Sequence, residues 1–207
     1  MLKTGHTSVF NFENAVRGAR NPMNSWERSD SYYDKQGNFV LGGNDFDLCE
    51  RLAKAGSDHR KYLRQIFVSV DIAAPLYWWK EFDTYKVGTV ANSCSTMHKI
   101  HAKPFEISDF SHERLDEYGR NILEVVIRYL NENRDVFNKT KDKQYWENMI
   151  QILPTSYNQL RTVTLNYEVL SNMYHARKAH KLAEWHEFCK WIENLPYSEL
   201  ITGGKDE

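Results

Sequence analysis

The chain has 207 residues, 41% hydrophobic and 27% charged with few Gly or Pro, a globular profile that excludes a disordered chain. Its formal net charge of -1, with basic residues dispersed among acidic ones, excludes the basic stripe of a nucleic-acid binder. No apolar run approaches the roughly 20 residues of a membrane span, and Met1 to Phe10 lacks the apolar stretch of a secretory leader.

Three distant cysteines, Cys49, Cys94 and Cys189, suit a reducing compartment. The expectation is one cytoplasmic domain spanning residues 1–207, with no nucleic-acid or membrane partner. The high aromatic share, 14%, fills a core or lines a surface that stacks something flat.

In chain order, Ser8-Val9-Phe10-Asn11-Phe12 predicts a short strand, then a helix over about Glu13 to Arg20 that Asn21-Pro22 stops. Met23 to Asn44 is rich in Ser, Asp, Asn and Gly. Its pairs Tyr32-Tyr33 and Phe39-Val40 flank Lys35-Gln36-Gly37-Asn38, the pattern of a hairpin or flap. A helix follows from Asp45, with Phe46, Cys49, Leu52 and Ala53 on one face. Ile66 to Ile72 is the clearest strand. Pro75 suits the first turn of the next helix, whose stripe is Leu76, Trp79, Phe82 and Tyr85 and whose natural stop is Gly88. Thr89 to Lys99, small and polar around Asn92-Ser93-Cys94-Ser95-Thr96, is expected to be a loop of the kind that contacts ligands.

The strongest helical signal starts at Ser111 as N-cap, with Glu113 in its first turn. Leu115, Tyr118, Ile122, Val125 and Tyr129 recur at spacings of three and four and form its apolar stripe. A further helix covers about Asp142 to Ile152 and ends at Leu153-Pro154. Thr162 to Leu165 is a strand, and Asn166 caps a helix reaching about Ala176. The last helix places Leu182, Trp185, Cys189 and Ile192 on one face, and the tail Gly203 to Glu207 frays. This order predicts an α+β fold, a small antiparallel or mixed sheet packed with several long helices.

Four features bear on chemistry. His180 and Glu184 share a helix face as two metal ligands would, but their spacing matches neither His-Glu-x-x-His nor Glu-x-x-His, so no metal is assigned. Cys94 beside Ser95 has no base supplied by the sequence, and a lone Cys is ordinarily a small apolar filler. Gly42-Gly43-Asn44-Asp45 at a helix start offers N–H groups to a phosphate, or is a plain turn and cap. Arg177, near the inward face of its helix, is either a solvated C-terminal charge or a fork aimed at a carboxylate, phosphate or pyrimidine edge.

The C-terminal third resembles the flavin-dependent thymidylate synthases. There a Leu-Pro precedes a strand ending in Asn, a helix carries an Arg, and an Ala-Gln-Trp/Glu-Glu helix follows. Here the matching residues are Leu153-Pro154, Thr162-Val163-Thr164-Leu165-Asn166, Arg177, and Leu182-Ala183-Glu184-Trp185. The N-terminal half follows the same order. Val9-Phe10-Asn11-Phe12-Glu13 precedes a helix ending in Arg20, and Leu52-Ala53-Lys54-Ala55-Gly56 precedes the strand from Phe67.

The resemblance implies a thymidylate synthase-complementing protein-like α+β fold assembled as a homotetramer. It implies FAD as cofactor, a dUMP-like pyrimidine deoxynucleotide as ligand, and NADPH and methylenetetrahydrofolate as co-substrates. The implied reaction methylates C5 of the pyrimidine with no protein nucleophile. Carried over by position, Arg177 binds and polarises the pyrimidine, Asn166 faces the flavin, and Ser95 meets the nucleotide phosphate. Tyr85 and Asn92 fall on cofactor-binding positions and Lys86 on a nucleotide-binding one.

This sequence departs from the family at several positions. The Arg-His-Arg triplet falls near Thr84-Tyr85-Lys86, the Glu after Asn92 is Ser93, and the following Arg is Met97. The His-x-Ser-Pro-x-Glu-His segment is Ser57-Asp58-His59-Arg60-Lys61, and the Arg before Leu-Pro is near Ile150. Each lost charged hydrogen bond weakens anion binding by about 1.5–3 kcal/mol unless replaced. Arg60, Lys61, Arg64, Lys99 and Lys103 are the nearby cations, and Tyr77, Trp78 or Tyr85 the rings available for stacking. Two other readings stand beside the methyltransferase: a nucleotide-binding protein of the same fold without flavin catalysis, and a metal-dependent hydrolase built on His180 and Glu184.

Overall fold

In the computed structural model, which describes residues 1–203, the chain divides into two compact units. One comprises Met1–Lys3, Asp71–Thr84 and Ala91–Thr162; the other comprises Thr4–Val70, Tyr85–Val90 and Val163 onward. The last four positions of the tail expected to fray, 204–207, lie outside the described residues.

The sheet strands are β1 (Lys3–Phe10), β4 (Phe67–Pro75), β5 (Val90–Ser93) and β6 (Asn158–Asn166), in the order β1-β4-β6-β5. A hairpin supplies β2 (Tyr32–Tyr33) and β3 (Phe39–Val40). The result is an α+β fold with a small antiparallel sheet, as expected. Strand β4 shows why: Val68, Val70, Ile72 and Ala74 are all fully buried, the period-two burial that β-branched alternation specifies.

In the first unit, α5 (Glu117–Thr140) packs on α6 (Lys143–Ile152). Leu123, Ile127 and Leu130 of α5 meet Met149, and Ile100, Phe105 and Phe110 complete the cluster. This reverses the expected face of α5. Leu115, Tyr118, Ile122, Val125 and Tyr129 are 40%, 75%, 48%, 54% and 41% exposed. The helix carries two apolar stripes, and periodicity cannot choose between them; α6 does.

The start of α5 also differs. Asp116 is the N-cap, accepting from Gly119 N at 2.7 Å, because Ser111 is engaged elsewhere. The Ser111 hydroxyl donates to Asn158 Oδ1 at 2.9 Å and accepts from the Met1 ammonium.

Helix α3 (Leu76–Phe82) buries Trp78, Trp79 and Phe82, with ring centroids 4.9 to 5.1 Å apart. It ends at Phe82, not Gly88, since the Thr84 hydroxyl donates to Glu81 O at 2.7 Å and closes the last turn. Tyr85 therefore lies beyond the helix. The expected loop from Thr89 to Lys99 is instead edge strand β5 followed by α4 (Thr96–Lys99). All four β5 residues are exposed, so no alternation announced the strand.

The second unit holds α1 (Phe12–Arg20), α2 (Gly43–Lys54), α7 (Tyr167–Arg177), α8 (Ala183–Glu193) and α9 (Glu199–Thr202). Asn166 caps α7 as expected, its Oδ1 accepting from Val169 N at 3.0 Å. Trp185, Cys189 and Ile192 of α8 are buried, as their spacing required. Phe12 sets its ring edge-on to Tyr167 and Tyr197, at 5.5 and 5.3 Å.

The expected hairpin forms, with Tyr32 opposite Val40 and Tyr33 opposite Phe39. Buried Asp45 anchors its base. The carboxylate accepts from the Arg20 guanidinium, from the Ser29 and Ser31 hydroxyls at 2.6 Å each, and from Ser31 N at 3.1 Å. Asp30 in turn caps α2, accepting from Asn44 N at 2.9 Å and Asp45 N at 3.1 Å. Of the N–H groups that the Gly42-Gly43-Asn44-Asp45 turn offered to a phosphate, those of Asn44 and Asp45 are thus taken by the Asp30 carboxylate and that of Gly42 by the Ser31 hydroxyl. Among the described residues no helix is long and apolar enough to cross a membrane.

Candidate functional site

Two of the expected site residues, Arg177 and Tyr85, are in direct contact in the second unit. The Arg177 Nε donates to the Tyr85 hydroxyl at 3.0 Å. Its guanidinium lies 5.0 Å from the Trp185 ring centroid and 5.6 Å from that of Tyr85. The two rings sit 6.3 Å apart at 64°. A guanidinium held against two aromatic rings is attracted by their quadrupoles and keeps its charge in a fixed place. Trp185 is fully buried and acts as the wall, while Tyr85 is only half-buried.

Asn166 reaches the same segment three residues on. Gly88 has φ +76, and a Cβ there would stand 2.9 Å from Asn166 Nδ2 and 3.2 Å from Val169 Cγ2. Only glycine allows this approach, both for its backbone angle and for the missing side chain. Lys86, between Tyr85 and Gly88, is exposed. The segment 85–88 is thus tied to α7 at two points and presents a lysine between them.

Asn92 and Ser95 belong to the first unit. Asn92 is exposed on β5, and Ser95 caps α4, its Oγ accepting from His98 N at 3.0 Å. The hydroxyl hydrogen of Ser95 is still available to a ligand. Cys94 is exposed, and its carbonyl accepts from the Gln159 amide at 2.8 Å.

Several expected replacements for the missing cations are committed elsewhere. Arg60 and Arg64 both pair with buried Glu168, at 3.4 and 3.1 Å, and Lys103 pairs with Asp109. Trp78 is fully buried beside Trp79, so it stacks no ligand ring. Lys61 and Lys99 are exposed. Among the described residues no group of three or more His, Cys, Asp or Glu side chains is placed to hold a metal.

The segment from Met23 to Asn44 forms one wall of a cavity of about 310 Å³ against α1. Trp26, Tyr32, Tyr33 and Phe39 line it, and the Tyr33 hydroxyl donates to Glu13 at 2.8 Å. Sequence reading marked this segment as a flap but did not place its rings around a cavity. It also read Trp185 only as core and Gly88 only as a helix stop. An aromatic directly after the Ala183-Glu184 pair and a lone Gly two positions after Lys86 were the available signals.

The donor set around Arg177 suits a flat ligand with carbonyl oxygens: a fixed cation, a phenol and an exposed lysine close by in sequence.

No protein-family profile matches the sequence, and no curated protein is detectably similar to it. Solved structures do match. Thymidylate synthase X (ThyX) from Helicobacter pylori, determined with FAD and dUMP, superposes with a TM-score of 0.68 at 17% identity, over 97% of this chain and 96% of that one. A second Helicobacter pylori ThyX structure with FAD and dUMP gives the same TM-score and identity over 97% of both chains. The UMP/dUMP methylase PolB from Streptomyces cacaoi, bound with 5-Br dUMP, gives 0.64 at 14% identity, over 98% and 95%. Over nearly its whole described length the chain has the fold of the flavin-dependent thymidylate synthases.

Proposed function

We propose that this chain is a divergent, cytoplasmic, homotetrameric member of the flavin-dependent thymidylate synthase family. It binds FAD and a dUMP-like pyrimidine deoxynucleotide and methylates C5 of the pyrimidine, with methylenetetrahydrofolate and NADPH as co-substrates. The observation that carries this reading is the fixed Arg177, held by Tyr85 and Trp185, in a fold shared with proteins solved with FAD and dUMP. Bound reduced flavin would supply the hydride.

The chain's own groups do the rest. Arg177 places positive charge at the edge of the pyrimidine and would stabilise the negative charge on its carbonyl oxygens in the enolate form, the form in which C5 is the attacking carbon. Because Tyr85 and Trp185 fix the guanidinium in advance, little reorganisation is needed as charge develops. Lys86 is assigned to the nucleotide phosphate, as is the Ser95 hydroxyl. Tyr85, Asn92 and Asn166 are assigned to the cofactor, Asn166 through the Nδ2 group that leans on Gly88.

A second reading is a nucleotide-binding protein without flavin catalysis. It is favoured by the pairing of Arg60 and Arg64 with Glu168, which removes two substitutes for the missing triplet cations.

Titration with FAD and with dUMP separates the two. The methyltransferase reading expects a bound flavin spectrum that Asn166→Asp weakens, a change that keeps the cap acceptor but removes the Nδ2 donor. It also expects Arg177→Lys to lower dUMP affinity about 10- to 100-fold, the loss of one charged hydrogen bond. Binding of dUMP with no uptake of FAD selects the second reading. Binding of neither refutes both.

A further inference from the structure

The cavity of about 310 Å³ between α1 and the hairpin lies wholly within the second unit and shares no lining residue with the group around Arg177. Its volume is at the lower end of the roughly 300–1,000 Å³ of pockets that take small molecules. Two features of its wall define what it can hold.

The first is a pair of charges. Glu13 and Arg17 stand one turn apart on α1, at the spacing where an acid and a base ordinarily pair with each other. Here each turns to a neutral partner. Glu13 accepts from the Tyr33 hydroxyl at 2.8 Å, and Arg17 donates to Asn14 Oδ1 at 3.0 Å. Arg20, the other charge on the wall, is neutralised by Asp45. A carboxylate has about four acceptor sites and a guanidinium five donors, so both exposed groups keep capacity for a ligand.

The second is the set of rings. Tyr33 and Phe39 meet edge-on, 5.6 Å apart at 70°. Trp26 and Tyr32 also line the cavity, 50% and 58% exposed, and the Trp26 indole donates to Asn21 Oδ1 at 2.9 Å, which holds its ring in place. These half-exposed aromatic faces, on a segment already anchored by Asp45, offer stacking area at little cost in ordering.

We propose that this cavity binds a small aromatic zwitterion of the kind an aromatic amino acid is. The ligand's ring packs against Trp26 and Tyr32, its ammonium meets Glu13 and its carboxylate meets the Arg17 fork. A purely cationic ligand faces the Arg17 charge and a purely anionic one faces Glu13, so only a ligand carrying both signs suits both groups. Residues four apart on a helix have their Cβ atoms about 5–6 Å apart. The ligand's two charges must therefore be close neighbours, as they are on either side of an amino acid's α-carbon. This inference does not rest on the flavin or nucleotide chemistry, and it gives the chain a second ligand.

Isothermal titration calorimetry of the full chain tests it, with L-phenylalanine as the probe. Saturable binding at millimolar concentration or below is expected. Phenylalanine amide lacks the carboxylate and phenylpropionate lacks the ammonium, and each is expected to bind at least about 10-fold more weakly, the worth of one charged hydrogen bond. Leucine, a zwitterion without a ring, is expected to bind more weakly as well. Glu13→Gln, which keeps an acceptor for Tyr33, and Arg17→Gln are each expected to weaken L-phenylalanine by about 10-fold or more, with an unchanged far-UV circular dichroism spectrum. The ligand series on the wild type decides the matter if a variant fails to fold. No saturable binding of L-phenylalanine, phenylpropionate bound as tightly, or an affinity that Arg17→Gln leaves unchanged would each overturn the proposal. Displacement of L-phenylalanine by FAD or dUMP would overturn it too, since the cavity would then belong to the flavin or nucleotide site; retained binding beside both is expected. Flavin and dUMP uptake by the same variants reports separately on the functional reading.

Discussion

Asp45→Ala removes the carboxylate that pins the flap to α2, and its cost can be worked from the contacts. Arg20, 4% exposed, would keep a buried guanidinium with no counter-charge. Breaking a buried pair from one side costs about 3–5 kcal/mol. The Ser29 and Ser31 hydroxyls also lose their acceptor, but both lie near solvent and water recovers most of that loss. Arg20 retains the carbonyls of Ser25 and Arg28, each at 3.2 Å, which moderates the penalty. The expected loss is therefore about 3–5 kcal/mol, a large part of the 5–15 kcal/mol typical of a domain.

Urea unfolding followed by tryptophan fluorescence measures it. The double variant with Arg20→Met should lose clearly less than the sum of the two singles, since it leaves no orphan charge. The pH dependence gives a second readout. Burial pushes the Asp45 carboxyl up, but hydrogen bonds from Ser29, Ser31 and Arg20 outweigh it and hold the group below its ordinary range. A depressed folded value means the stabilisation is complete above the unfolded carboxylate value of about 3.9 and is lost as pH falls through the folded one. Asp45→Ala should thus flatten the acid limb of the stability curve. A loss under about 1 kcal/mol, or an unchanged acid limb, would refute the anchoring role.

Gly88→Ala should cost about 1–3 kcal/mol and weaken any ligand held at Tyr85, because the new Cβ meets Asn166 Nδ2 at 2.9 Å on a left-handed backbone; thermal unfolding checks the first part and ligand titration the second. Leu130→Ala should cost about 2–5 kcal/mol, whereas Tyr118→Ser, on the opposite side of α5, should change the stability of the isolated chain by less than about 1 kcal/mol; equal effects would contradict the burial pattern. Cys94 should react with a thiol reagent in the native state, while Cys49 and Cys189 should react only on unfolding. Burial and nearby Asp45 push the Cys49 thiol up to about 12, and burial and nearby Glu193 push that of Cys189 up to about 11. Native labelling of all three would contradict this.

Local chemistry made parts of the protein legible in advance. The Tyr32-Tyr33 and Phe39-Val40 pairs around Gly37 specify a hairpin wherever they stand, because turn and strand preferences act over a few residues. Asn166 before an apolar run is a helix cap by its side-chain reach alone. The order of elements, with Asn166 and Arg177 at its end, was enough to expect the flavin-dependent thymidylate synthase fold, and the superposition bears that out.

What the sequence by itself determined is therefore most of the elements, their order and the fold they build; β5 and α4, which it read as a loop, came only with the structure. Only the tertiary structure decided which side of α5 faces inward. Leu123, Ile127 and Leu130 make one apolar stripe and Tyr118, Ile122 and Val125 another, and it is α6 and the rings around Phe105 that cover the first. Only it decided that Arg60 and Arg64 serve Glu168, more than a hundred residues away in the chain, while Arg177 is held by Tyr85. A cation's partner is fixed by what folding brings within hydrogen-bond reach, and no local pattern encodes that distance.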